Sequence, residues 1–363
     1  MRAKKILKKM GISNPEKLDF KQKESLVKSV SQKIADRFET YGIKYENIYM
    51  KLINTDMYLS DIKSGTPKAN YIYKNSSLYI DRSIDISENN EDILRECICK
   101  VQEVRNKKNK IHKLGLCRFN ESKIAGVAFN EAGMQYVLSL LLDKKEEKVN
   151  AYGVMINSIS VQYPALTNII RQMTFIAGEN YLVQSIINST DDFKKSFIDK
   201  CNETSYYSIM KNTDLMYEAK KRITNIDRKI LFDRKVKEES KAKLREKVNK
   251  YSKSIRFSYT KIQKELCQCY FNKRIGTANT IDKLEIVREE IGSYKKLIAL
   301  SCEEEDNFFD KYSLDCYYKI ERKIEKINKE NSMLMSDKKG FSKAIIKIKK
   351  LFTSSNAEYE DNK

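Results

Sequence analysis

The chain has 363 residues, enough for two or three domains and a sizeable core, with 70 Lys and Arg against 50 Asp and Glu for a net charge of +20. No apolar run approaches the roughly 18 residues of a membrane span, which excludes a transmembrane helix. The 8 cysteines are dispersed, with close pairs only as Cys97/Cys99 and Cys267/Cys269, so neither a disulfide scaffold nor a C-x-x-C site is expected.

Met1 to Lys9 reads as a short basic helix or arm, too poor in apolar residues for a secretory leader. Asn14-Pro15-Glu16 has the pattern of a helix start, a capping side chain followed by proline at the first turn. Val27, Val30, Ile34 and Phe38 then share one face, and Gly42 closes the helix at Tyr41. From Ile48 to Ile80 the texture is Tyr, Ile and Leu broken by turn residues, which predicts short strands. Ala69 to Tyr73 and Leu78 to Asp81 form the arms of a hairpin around Asn75-Ser76-Ser77.

Helix is expected from about Glu88 onward. Ile93, Leu94, Cys97, Ile98, Val101 and Val104 make one apolar stripe, with Arg95, Cys99, Gln102 and Glu103 on the other side. Lys107 to Lys110 is a basic connector. Ile124 to Leu142 is apolar on almost every side, yet holds Asn130, Glu131 and Gln135 in its middle. A carboxylate on such a helix needs a cation, a metal or several donors, because an unpaired buried charge costs several kcal/mol. Pro164 to Ala177 is a further helix, with Leu166, Ile169, Ile170, Met173 and Ile176 inward and Gly178 ending it.

Beyond about Leu215 the composition turns to Lys, Glu and Arg with spaced apolar residues. Leu244, Val248, Tyr251, Ile255 and Ile262 mark one long helix; Leu284, Val287, Ile291, Tyr294 and Ile298 a second; Tyr317, Ile320, Ile324 and Ile327 a third, together predicting an antiparallel bundle or coiled-coil-like arm. Lys220 to Lys253 carries 14 Lys and Arg against 5 Asp and Glu, a helix face that is either simply solvated or follows a phosphate backbone. Lys338 to Phe352 is amphipathic, with Phe341, Ile345, Ile348 and Phe352 opposite Lys343, Lys347 and Lys350. That pattern fits docking on the protein's own bundle, an anionic membrane surface, or a partner groove. The tail after Thr353 is polar and expected to be disordered.

The Tyr-rich hairpin, the helix with Arg95-Glu96-Cys97-Ile98-Cys99 and the helix with Asn130-Glu131-Ala132 together resemble the gluzincin metallopeptidases. In that family a first helix carries His-Glu-x-x-His and a downstream helix supplies a glutamate within Asn-Glu. Two imidazoles four apart and the distal Glu hold zinc, and the intervening Glu is the general base. Carried over by position, Arg95 and Cys99 stand at the two histidines, Glu96 at the base and Glu131 at the third ligand. The resemblance covers about 48–142. Arginine stays protonated and cannot ligate a cation, and the only histidine, His112, lies in the basic connector. The resemblance therefore implies a vestigial site without zinc or other cofactor, in which the Arg95 guanidinium fills the metal's place and pairs with Glu131, with Asn130 and Gln135 in support. A solvated helix face bearing Arg95, Cys99, Gln102 and Glu103 is the alternative.

The expected architecture is mainly α with a small β portion (α+β). A basic segment and helix (1–47) precede a zincin-like domain (48–213), a basic helical bundle or arm (214–336), the amphipathic helix (337–352) and the tail (353–363). The expected function is that of a catalytically inactive, metallopeptidase-like binding or anchoring module in a bacterial cytoplasm, peripheral at the inner membrane face if the last helix binds lipid. A protein partner is expected, and nothing fixes an oligomeric state. The rivals are an active hydrolase with an atypical metal site and a nonspecific binder of nucleic acid or anionic membrane.

Overall fold

A computed structural model describes residues 2–86, 90–120, 123–160, 162–232, 238–298, 301–302 and 308–357. Side chains are described from Lys5 to Met333, omitting also Asn120, Lys123, Ser301 and Cys302. The chain is mainly helical with three small sheets, an α+β protein. It divides into two compact units, Met1–Tyr270 with Tyr294–Asn307, and Phe271–Ser293 with Phe308–Lys363.

The first unit begins with helix α1 (Arg2–Lys9) and strand β1 (Ile12–Lys17). The helix start expected at Asn14-Pro15-Glu16 is therefore a strand. Proline is tolerated there because β1 is an edge strand, bulged between Ser13 and Glu16, with Asn14 at φ 47°. The following helix, α2 (Phe20–Arg37), is instead capped by Asp19, whose carboxylate accepts the Gln22 N–H at 2.8 Å. Val27, Val30, Ile34 and Phe38 are buried as expected, and Gly42, at φ 74°, closes a short 3₁₀ turn after the helix.

Helix α3 (Tyr45–Ile53) occupies the start of the stretch read as strands, since Ile48 and Leu52, four apart, both point into the core. Strands β2 (Asp56–Ile62), β3 (Ala69–Ile72) and β4 (Ser77–Asp81) follow, and the predicted hairpin is β3/β4. The sheet order is β1-β2-β4-β3, with β2 and β4 parallel and the other pairs antiparallel.

Helix α4 (Glu91–Val101) is capped by Asn90, which accepts the Asp92 N–H at 2.8 Å. The chain then forms a meander of β5 (Glu103–Arg105), β6 (Ile111–Leu114), β7 (Cys117–Asn120) and β8 (Lys123–Ala125). The basic connector is the tip of its first hairpin, and Ile124 is an exposed strand residue instead of a helix start. Strands of three or four residues carry too little periodicity to be seen in the sequence.

Helix α5 (Val127–Leu141) runs through the interior. A hairpin of β9 (Glu147–Ala151) and β10 (Val154–Ser158) leads to α6 (Pro164–Ala177), α7 (Glu179–Ile187) and α8 (Asp192–Lys200). The inward face expected for α6 is buried throughout. Its Asn168 ties the unit together: its amide donates to the Leu297 carbonyl at 3.0 Å and its oxygen accepts from Tyr259 at 2.7 Å.

Helix α9 (Glu203–Phe232) and the first part of α10 (Glu238–Thr277) run antiparallel. Ser208 pairs with Glu265 at 2.7 Å, and further out Arg222 meets Tyr251 at 3.4 Å. The sequence joined α10 to two later helices, but in its first part it pairs with α9. Leu244, Val248 and Tyr251 are only half-buried along this outer stretch, whereas Ile255 and Ile262 are fully buried.

The second unit joins the end of α10 to α11 (Ile281–Lys295) and α12 (Phe308–Ala357). Phe271, Ile275, Leu284, Val287, Ile291, Phe309, Cys316 and Ile320 are among its buried side chains, and Arg274 pairs with Glu290 at 2.6 Å. Tyr317, Ile324 and Ile327 are half-exposed, so the third predicted seam buries only Ile320. A two-residue strand, β11 (Ser301–Cys302), adds to β10 in the first unit. The backbone of α12 passes without a break through Lys338–Phe352 and beyond Thr353. The side chains of Phe341, Lys343, Ile345, Lys347, Ile348, Lys350 and Phe352 lie outside the described residues. No described helix is long and apolar enough to cross a membrane.

Candidate functional site

The sequence drew attention to α4 and α5, and the fold packs them together. Helix α4 lies against β3 on one side and α5 on another, so it is buried nearly all round. Ile93, Leu94, Cys97 and Ile98 are inaccessible, but so are Glu96, Cys99 and Gln102. The reading of Arg95, Cys99, Gln102 and Glu103 as a solvated face fails for this reason.

At the contact, Arg95 Nη2 donates to Glu131 Oε2 at 3.1 Å, the pair expected from the sequence. Nη1 donates to Glu96 Oε1, and Nε is buried with no partner among the described residues. One guanidinium thus serves two carboxylates. Arg95 and Glu131 keep 24% and 23% of their side-chain exposure while Glu96 keeps 9%, so this is a partly buried cluster with one excess negative charge.

The electrostatics follow from that imbalance. Burial pushes the Glu96 carboxyl above its ordinary range, against the pull of Arg95 and of the Tyr71 N–H. Burial alone would weaken the charge on Arg95, but the Glu96 and Glu131 carboxylates, both hydrogen-bonded to it, outweigh that and hold the guanidinium protonated. Cys99 is fully buried, its thiol driven up by desolvation and then by Glu96, and its sulfur lies 3.3 Å from that of Met134. Burial likewise pushes Cys97 up to about 12.

Glu96 has a further task. Its Oε2 accepts the backbone N–H of Tyr71 at 2.7 Å, and Glu103 accepts the Tyr71 hydroxyl at 2.8 Å. Because β3 is the outer strand of its sheet, its unpaired N–H would otherwise be a buried orphan. The carboxylate at the general-base position therefore holds a strand.

The supporting residues are structural. Asn130 Oδ1 accepts the Leu116 N–H at 3.1 Å, which ties α5 to the β6–β7 turn. Gly115, at φ 51°, makes that turn where a Cβ would stand 2.2 Å from the Asn130 oxygen. Gln135 donates to the Gln162 side chain at 2.8 Å. Asp214 of α9 accepts the Gly126 and Ala128 N–H groups at 3.3 and 3.0 Å, capping α5 from another helix.

The sequence reading missed Tyr73, Tyr163 and Tyr217. The Tyr73 hydroxyl meets Cys99, and burial drives its ionisation up. Tyr163 and Tyr217 are both raised by burial and by the charge of Glu131, and their rings lie 5.7 Å apart. The Tyr-rich hairpin and the Tyr163-Pro164 junction were the available signals, but tyrosine spacing alone names no neighbour.

This donor set does not fit zinc. A metal ligand must offer a lone pair, which a guanidinium lacks and a buried neutral thiol offers poorly. Among the described residues no three His, Cys, Asp or Glu side chains converge as a metal-binding group. His112 is exposed on β6, away from the cluster. No family model matches the chain, and no curated protein or solved structure is significantly similar to it.

Proposed function

We propose that the chain is a non-catalytic binding or anchoring module whose α4–α5 centre descends from a gluzincin-type metal site, with the Arg95 guanidinium in the metal's place. The observation that supports the reading is the bridge from Arg95 to Glu96 and Glu131, the residues at the general-base and third-ligand positions. A cation there answers the carboxylates electrostatically, as a metal would, but supplies no activated water.

The test is reversal. The double variant Arg95→His, Cys99→His restores two imidazoles four apart facing Glu131. Elemental mass spectrometry of the purified variant should find about one zinc per chain and none in the parent. Stoichiometric zinc in the parent, or a folded variant that takes up no zinc, overturns the reading.

A second reading is favoured by the basic helix pair. The described residues of the Lys220 to Lys253 stretch lie on α9 and α10 and are rich in Lys and Arg, and the end of α9 leaves Leu231 and Phe232 exposed at 73% and 79%. Apolar residues beside lysines suit the surface of an anionic bilayer.

A further inference from the structure

A cavity of about 230 Å³ lies between the β9–β10 turn, the start of α6 and the inner faces of α9 and α10. Its wall is largely apolar, including Pro164, Leu166, Met216 and Ile255, with the rings of Tyr152 and Tyr163 beside them. Tyr152 holds φ +61° in the two-residue turn between Ala151 and Val154, a conformation that a bulky side chain rarely adopts. The adjacent Gly153 is also left-handed, as such a hairpin turn requires. The turn therefore presents an aromatic ring to the cavity at a cost in backbone strain.

Among the described residues, the one charged group in the lining is Lys220. It reaches in from α9, its Nζ 3.7 Å from the centre of the Tyr163 ring and donating to the Gln162 carbonyl. An ammonium has three donors, and among the described residues no carboxylate pairs with this one. Desolvation pulls the amine down to about 8. The ring face and one carbonyl compensate the charge only in part, and an anion would complete it.

We propose that this cavity binds a small amphiphilic monocarboxylate, its apolar body against Pro164, Leu166, Met216 and Ile255 and its carboxylate on the Lys220 ammonium. Size supports the class. An enclosed apolar cavity of about 150 Å³ accepts benzene, so this one, which is partly open to solvent, has room for a benzene-sized body with a few further atoms, or for a chain of roughly six to eight carbons. Gln162, beside Tyr163, hydrogen-bonds to Gln135 of α5, which joins the rim of the cavity to the helix that bears Glu131. The inference stands on the cavity alone and does not depend on any descent of the Arg95 centre from a metal site.

The probe is octanoate, with octan-1-ol as its uncharged counterpart, titrated calorimetrically into the full-length protein. The parent should bind octanoate at least tenfold more tightly than the alcohol. Lys220→Met, which keeps the stem and removes the charge, should abolish that preference while retaining the alcohol. Ala165→Leu, which fills the cavity, should weaken both, with thermal melting used to check that each variant folds. In the unmodified protein, octanoate should slow acetylation of Lys220 by acetic anhydride, read by peptide mass spectrometry. No saturable octanoate binding at millimolar concentration, undiminished binding to Lys220→Met, or acetylation indifferent to octanoate overturns the proposal.

Discussion

The α4–α5 centre and the α9–α10 arm are built from the same kinds of residue and use them in opposite ways. In the centre a single guanidinium lies between Glu96 and Glu131, largely removed from water. Along the arm, among the described residues, Lys243 reaches Glu239 on its own helix and the two keep 74% and 85% of their side-chain exposure, while Lys241, at 25%, meets Glu238 at 77%, so each of these pairs keeps at least one charge in water. Charge in the centre is costly unless matched, so removing one partner strands the others. Charge along the arm is already hydrated, contributes little to folding, and remains available to a ligand. Exposure, more than residue type, separates a structural charge from an interacting one.

The largest expected effect breaks the centre. Arg95→Met should cost about 3 kcal/mol at neutral pH, the low end for a buried pair because Arg95 keeps part of its exposure. The midpoint of urea unfolding measures it. Glu96→Gln should cost less, about 1 to 2 kcal/mol, since the amide oxygen still accepts the Tyr71 N–H and the excess negative charge is gone, but the amide NH2 then faces the Arg95 Nη1 donor. Equal losses from the two variants would mean that Arg95 and Glu96 act as packing groups, and the contrast with the arm would vanish.

The thiols sharpen the same contrast. Burial raises Cys97, Cys99 and Cys117, the first and last to about 12. Alkylation by iodoacetamide at pH 8 should therefore be at least about a hundredfold slower than in the unfolded chain. Peptide mass spectrometry would reveal rapid native-state labelling of Cys99, which would mean that the centre opens to solvent.

The arm predicts a ligand effect with no stability effect. Replacing Lys241, Lys243 and Lys247 with Gln should change the melting midpoint little, by no more than about 0.5 kcal/mol in total. It should weaken binding to phosphatidylserine vesicles or duplex DNA and reduce the salt slope by about one for each phosphate no longer neutralised. Vesicle binding that exceeds DNA binding and falls with Phe232→Ser would favour the bilayer. Unchanged affinity for both would make the arm a merely solvated surface.

The smallest effect concerns Asp191, an intermediate case at 32% side-chain exposure. Burial opposes its ionisation, but Lys113 and Arg118 together outweigh that and hold the carboxyl below its ordinary range. The folded protein then binds fewer protons than the unfolded chain in this window. The stabilisation is complete above about pH 4 and is lost as pH falls through the depressed value. Asp191→Asn should flatten the acid limb of the stability profile and leave the neutral region with only a modest loss.

The sequence by itself determined the mainly helical character, the buried faces of α2 and α6, the β3/β4 hairpin and the need for a partner to Glu131, because each rests on local spacing or on the cost of a buried charge. It misplaced the first strand, since Asn14-Pro15 suits a helix start and a bulged edge strand equally well, and only pairing with β2 decides between them. The meander after α4 was invisible because strands this short repeat no pattern. Only the tertiary structure decided that both faces of α4 are buried, that Glu96 serves the strand edge, and that the first part of α10 lies along α9. Lys220 shows the reason most plainly. In sequence it is one lysine in a basic run, and it differs from its neighbours only because the fold brings Tyr163 and an apolar cavity to its amine.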